Sequence, residues 1–164
     1  DKNTNADGIS TSEHNIPSEV CYEDVLQCWQ ESQSNYTPTL VVTYGGLAGD
    51  PYWRQATDVF DNPLMVHTPP RQLIAQTARR VTAPDWAFVD DEAAREAKKL
   101  AERGVKVSIG AHGQQAGVAA HWELWSFARG GMTAVEALRA GTIESARSLG
   151  RVRSSRPILP PRRI

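Results

Sequence analysis

The sequence predicts an α/β fold: a parallel sheet of three strands joined and covered by helices, with one irregular excursion. Two observations carry this expectation. Short apolar or β-branched runs alternate along the chain with segments of helical periodicity, the pattern of strands joined by helical crossovers. The last of these runs ends in a turn of small residues that carries a histidine. In α/β folds that edge, outside the carboxyl ends of the strands, is where chemistry sits.

The first run, residues 8–13 (GISTSE), is β-branched and ends at His14, where Asn15-Ile16-Pro17 signals a loop. Ser18 then stands as an N-cap for a helix over 18–32, with Val25, Cys28 and Trp29 on one face. Residues 35–38 read as a loop. Residues 39–44 (TLVVTY) are nearly all apolar or β-branched, the pattern of a strand buried on both faces, and Gly45-Gly46 ends it.

Residues 47–90 hold Pro51, Pro63, Pro69, Pro70 and Pro84 together with Trp53, Phe60, Trp86 and Phe88. A structureless loop of this length is uncommon in a compact domain, so short helices are expected at 53–60 and 71–80, forming a lid or flap. A helix begins at Asp90 or Asp91 and runs acidic to basic, as the macrodipole prefers. Gly104 ends it. The third strand follows over 105–110, with Val105, Val107 and Ile109 alternating with Lys106 and Ser108. After the turn at 110–113 a helix runs from Val118 to Arg129 and stops at Gly130-Gly131. Thr133 caps the next, with Glu136 as its capping-box partner, and Thr142 caps a last one that Gly150 closes.

Bulk composition narrows the function classes. The 164 residues are 40% apolar and 23% charged, with a net charge of −1. Such a balance gives no general attraction for nucleic acid or a membrane surface. No apolar run approaches the ~20 residues of a membrane span. Residue 1 is Asp rather than Met, which suggests a processed chain or a piece of a longer one. Cys21 and Cys28 lie in the helical segment, ~10 Å apart at ~1.5 Å per residue, too far for a disulfide, and read as small core residues. Residues 1–150 form one expected domain. Residues 151–164 are a separate tail with five arginines, three prolines and no acid, a composition that fits disorder better than a nucleic-acid arm.

From SEHNIPSE, YEDVL, TPTLVVTYGG and PYW through to GAHGQQAGVAAHWELWSFARGGMTAVEALRAGTIESARSLG, residues 7–150 resemble the amidohydrolase superfamily. The likeness is to its imidazolonepropionase-like subgroup, often joined to a Tol-type β-propeller. The resemblance implies the C-terminal part of a metal-dependent (β/α)8 barrel. SEH resembles the end of the sixth barrel strand, which makes His14 a metal ligand. TLVVTYGG resembles the seventh strand. VSIGAH resembles the eighth, which in most of the superfamily ends in a metal-binding, proton-transferring aspartate. His112 matches that position here, which implies a metal ligand or the catalytic base. The first-strand His-x-His pair and the ligands of the fourth and fifth strands have no counterpart in this sequence.

The activity so implied is hydrolysis of amide-type C–N bonds by metal-activated water, with zinc the expected divalent ion. The implied substrate is a small molecule or a peptide-like one, and a periplasmic or secreted location is compatible. A non-catalytic remnant or split half competes with this reading, completed by a missing barrel half or by a second copy in a homo-oligomer. Four other groups invite chemistry but have plainer explanations. Glu13 and Glu123 read as solvated carboxylates, His121 as a helix-packing residue beside Trp122 and Trp125, and His67 as a surface residue. Tyr44, ending the second strand, either lines a pocket or packs in the core. His14, Tyr44 and His112 are expected at one end of the sheet, with the backbones of the two histidine strands ~10 Å apart.

Overall fold

The computed structural model describes residues 7–18, 20–57, 82–113 and 117–151. Strand β1 (Thr11–Glu13) pairs in parallel with β2 (Asn35–Thr37), in the register Thr11 with Asn35, Ser12 with Tyr36 and Glu13 with Thr37. On the far side of β2 a parallel bridge joins Tyr36 to Val107. There the Tyr36 N–H donates to the Lys106 carbonyl at 2.8 Å, and the Ser108 N–H donates to the Tyr36 carbonyl at 2.9 Å. The described residues are thus mixed helix and strand, with a two-stranded parallel sheet extended at one point by the 105–110 segment. They form no three-strand barrel wall.

The middle strand lies upstream of the place its sequence suggests. Residues 35–37, expected as loop, are β2. Residues 39–44, expected as a strand, hold a 3₁₀ turn at Leu40–Val42. Pro38 has no N–H for a ladder, and Thr39 turns left-handed at φ 56°, so strand geometry cannot continue. The apolar run did foretell burial: Leu40, Val41 and Thr43 are buried. An apolar run of that length does not by itself separate a strand from a buried turn of helix.

Helix α1 spans Glu23–Ser32 and starts later than expected. Tyr22 is its N-cap residue, and the Ser18 hydroxyl instead donates to the Val20 carbonyl at 2.7 Å. Trp29 and Leu26 form its buried face, with Val25 and Cys28 packed at the edge. Both cysteines are free, Cys21 buried. Helix α2 (Gly49–Ala56) opens the excursion. Thr57 is extended at φ −125°, ψ 147°, so the helix expected at 53–60 stops at Ala56, while residues 58–60, the helix expected at 71–80 and His67 lie outside the described residues. So do residues 152–164 of the tail and residues 1–6.

Helix α3 (Asp90–Glu102) has Asp90, Asp91 and Glu92 in its first turn and Lys99 in its last, which favours the helix dipole at both ends. Its buried stripe of Ala94, Ala97 and Leu100 faces the core, and Gly104 at φ 84° turns the chain into the 105–110 segment. Helix α4 (Val118–Arg129) buries Ala119, Trp122, Glu123, Ser126 and Phe127. The two helices meet at small residues, since a Cβ on Gly130 would lie 2.3 Å from the Ala94 Cβ. Helix α5 (Ala134–Arg139) has the expected capping box between Thr133 and Glu136. The expected cap at Thr142 does not form. A π-helical turn (Ala140–Glu144) runs into α6 (Ser145–Ser148), and the Thr142 hydroxyl donates back to the Leu138 carbonyl at 2.6 Å.

The core gathers Trp29, Tyr36, Leu40, Leu100, Val105, Val107, Phe127 and Met132 between the sheet and the helices. Trp29 meets Tyr36 edge to face at 6.4 Å, and each large side chain so buried contributes about 1.5–3 kcal/mol. The Tyr36 hydroxyl accepts from the Ile16 N–H at 3.2 Å, which ties the loop after β1 to the core.

Candidate functional site

Because the paired segments are parallel, their carboxyl ends share one edge of the sheet. All three leave the sheet through a left-handed residue that is not glycine. His14 follows β1 at φ 70°, Thr39 follows β2 at φ 56°, and Ala111 and His112 follow the third segment at φ 52° and 50°. Such residues cost of order 1–3 kcal/mol each and persist only where their surroundings hold them. At 110–113 two three-residue turns run in succession, with the His112 N–H donating to the Gly110 carbonyl and the Gly113 N–H to the Ala111 carbonyl, each at 2.6 Å.

These turns bring His14, Tyr44 and His112 together. The imidazoles of His14 and His112 lie edge to face with centroids 5.1 Å apart. The Tyr44 ring stands 5.7 Å from that of His14. His14 is half-buried, and its Nδ1 is buried with no hydrogen-bond partner among the described residues. His112 and Tyr44 are exposed. Asn15 places Tyr44: its Oδ1 accepts from the Tyr44 N–H at 2.9 Å and its Nδ2 donates to the Tyr44 carbonyl at 3.4 Å. A cleft of about 250 Å³ opens beside them, lined by Asn15, Pro17, Ser18, Tyr44, Val89 and Glu92.

The imidazole pair suits a metal in part. Two imidazoles on one tetrahedral zinc, at bonds of ~2.0–2.1 Å, hold their ring centroids roughly 5 Å apart, close to the spacing here. The unpartnered Nδ1 of His14 is a donor atom of the right kind. Yet the described residues gather no group of three or more His, Cys, Asp or Glu side chains able to hold an ion. Catalytic zinc takes about three protein ligands, so the pair could act only as two of them.

Glu123 corrects an expectation. Instead of a solvated carboxylate it is fully buried beneath this edge. Its Oε1 accepts from the Val41 N–H at 2.8 Å. The backbone amides of Leu40, Gly110 and Ala111 also stabilise its charge, but only from the margin of bonding distance, and Oε2 has no full hydrogen bond. Burial outweighs these amides and pushes its carboxyl up to about 7. The sequence held a signal for this. Ala119, Trp122, Ser126 and Phe127 mark the buried face of α4 at helical spacing, and Glu123 falls within it.

The other candidates stand apart from the pair. Glu13 is exposed, and His121 is exposed on α4 with its ring 6.4 Å from Trp125. A second cleft, about 520 Å³, is lined by Lys98, Val105, Lys106, Met132, Arg139 and Glu144 among others, and by none of the three site residues. Its charges are largely spent on one another, through Arg139–Glu144, Arg147–Glu144 and Lys98–Glu102. Among the described residues no helix is long and apolar enough to cross a membrane. Comparison of the chain with family models, with curated proteins and with solved structures finds no match.

Proposed function

We propose that the chain is the C-terminal part of a metal-dependent amidohydrolase barrel, acting on amide-type C–N bonds of a small or peptide-like substrate. The observation that supports this reading is the His14–His112 pair, with ring centroids 5.1 Å apart at the carboxyl edge of a parallel sheet. His14 would hold a divalent ion, zinc by the nitrogen donors, and His112 would be its second ligand or the proton acceptor. The ion, when bound, polarises the amide carbonyl and activates water. The exposed His112 is reachable by a substrate. Tyr44, held by Asn15 beside the 250 Å³ cleft, would orient the substrate there.

Zinc titration by calorimetry tests the reading, together with an assay on chromogenic amides. One zinc per chain, lost in His14→Ala and in His112→Ala, together with amide turnover, would support the reading, a third ligand having to come from outside the described residues. Neither zinc nor turnover would leave the second reading, a split half that needs a partner or a second copy. One observation favours that alternative: among the described residues the outer edge of β1 has no strand partner, and open parallel edges invite pairing. Sedimentation showing self-association without metal would support it.

A further inference from the structure

Glu123 is an ionisable side chain with no path to solvent, placed under the two turns that carry the site. The Leu40–Val41 turn leads to Tyr44, and the Gly110–Ala111 turn leads to His112. The carboxylate accepts from the Val41 N–H at 2.8 Å, and the backbone amides of Leu40, Gly110 and Ala111 favour its charged form without a full hydrogen bond to Oε2. Above it three of the four residues Thr39, Gly110, Ala111 and His112 are left-handed, and none of those three is glycine. Something must hold that backbone against its own preference. The two turns also touch directly, since a Cβ on Gly110 would lie 2.2 Å from the Thr39 Oγ1. Helix α4 holds Glu123 in place through its neighbours Trp122, Ser126 and Phe127, all buried.

We propose that Glu123 is the positioning residue of the histidine pair, its buried carboxylate clamping the 40–41 and 110–111 turns together so that the His112 imidazole faces His14. Once ionised, above about 7, the carboxyl only accepts, and the groups around it are N–H donors. Glutamine is nearly the same shape but would turn an NH2 group toward those donors. The assignment rests on the metal-site reading for its purpose, but not for its geometry.

NMR of the full chain tests it. In the unaltered protein the His14 and His112 rings give a ring–ring Overhauser contact, and Trp29 with Tyr36 gives a core contact as control. In Glu123→Gln the first is expected to vanish while the second stays, and zinc affinity is expected to fall at least tenfold. A histidine contact that persists in both Glu123→Gln and Glu123→Ala overturns the proposal, whether or not the unaltered chain binds zinc. Absence of zinc binding with loss of the contact would count against the hydrolase reading alone. Hydrogen exchange in the unaltered chain decides the matter where a variant fails to fold. The amides of Val41, Gly110 and Ala111 are expected to exchange at least a hundredfold more slowly than that of the exposed Gly45, and equal rates would overturn the clamp.

Discussion

Asn15 grips the backbone of Tyr44 at both its polar groups, accepting from the N–H at 2.9 Å and donating to the carbonyl at 3.4 Å. The side chain is buried, so both bonds are shielded from water. This contact joins the loop after β1 to the segment after β2, and it holds Tyr44 within 5.7 Å of His14.

Asn15→Ala should therefore cost about 1–3 kcal/mol in urea unfolding, the usual range for stranding buried polar partners. It should also abolish the His14–Tyr44 ring contact. Stability within a few tenths of a kcal/mol of the unaltered chain would show that the clamp is idle.

A second buried network ties the helices rather than the site. Asp90 is fully buried at the start of α3. It accepts from the Ser126 hydroxyl at 2.7 Å and from Arg129, and the Trp53 indole N–H donates to the Ser126 Oγ at 2.8 Å. Arg129 also lies over the Tyr52 ring, 3.6 Å from its centroid. Burial raises the Asp90 carboxyl from its ordinary range against the pull of Ser126 and Arg129. Asp90→Ala leaves Arg129 and Ser126 without their acceptor and should cost about 3–5 kcal/mol. Ser126→Ala breaks only the link to Trp53 and one bond to Asp90, and should cost about 1–3 kcal/mol. Denaturant midpoints with an unchanged m-value would check both, and equal costs would mean the ion pair contributes nothing.

Much of this was legible beforehand, and the misses have physical causes. The helix at 90–102 is marked by its acidic start and by Gly104 after it, and that at 118–129 by its stop at Gly130-Gly131. The capping box at Thr133 and Glu136 is a local contact between near neighbours, so it could be read directly. Residues 39–44 misled because burial, not strand geometry, made them apolar, and Pro38 with the left-handed Thr39 sent them into a 3₁₀ turn. The strand at 35–37 hid because Asn35 and Thr37 are polar yet buried. Asn35 and Ser108 satisfy one another at 3.0 Å across the parallel bridge, a pairing between distant residues that no window along the chain reveals. His14 and His112 were placed at one edge by parallel topology, while Tyr44 reaches it although the strand it was expected to end is a 3₁₀ turn. Asn15 and Glu123, which hold them, show their roles only once the turns are folded.

The Glu123 carboxyl gives stability a pH slope of known sign. Its folded value, about 7, lies above the ordinary 4.5, so the folded state binds more protons between those values. The contribution is fully present below about 4.5 and is lost as pH rises through about 7. At roughly 1.4 kcal/mol per pH unit the loss is about 3 kcal/mol. Glu123→Gln cannot titrate, so its unfolding free energy should fall less steeply from pH 5 to pH 7.5 than that of the unaltered chain. Parallel curves would mean that the carboxylate is better solvated than its burial implies.

Gly110 offers a test of the edge that alters no functional side chain chemically. The glycine is not at positive φ, so space rather than backbone freedom is what it supplies. A methyl group there would lie 2.2 Å from the Thr39 Oγ1, 2.7 Å from its Cβ and 2.9 Å from its Cα. The hydroxyl could rotate away, but the Cα belongs to backbone fixed between Pro38 and the 3₁₀ turn. Gly110→Ala must therefore push the 110–112 turn off the end of β2 and carry His112 away from His14. Overpacking of this kind costs about 1–3 kcal/mol. Gly130→Ala is the matching control, since its methyl would lie 2.3 Å from the Ala94 Cβ, between α3 and α4 and away from the histidines. Both variants should lose stability to a similar degree, but only Gly110→Ala should lose the His14–His112 ring contact. If Gly130→Ala loses that contact as readily, the turns answer to the core as a whole, and the close approach of Gly110 to Thr39 is not what sets the histidine pair.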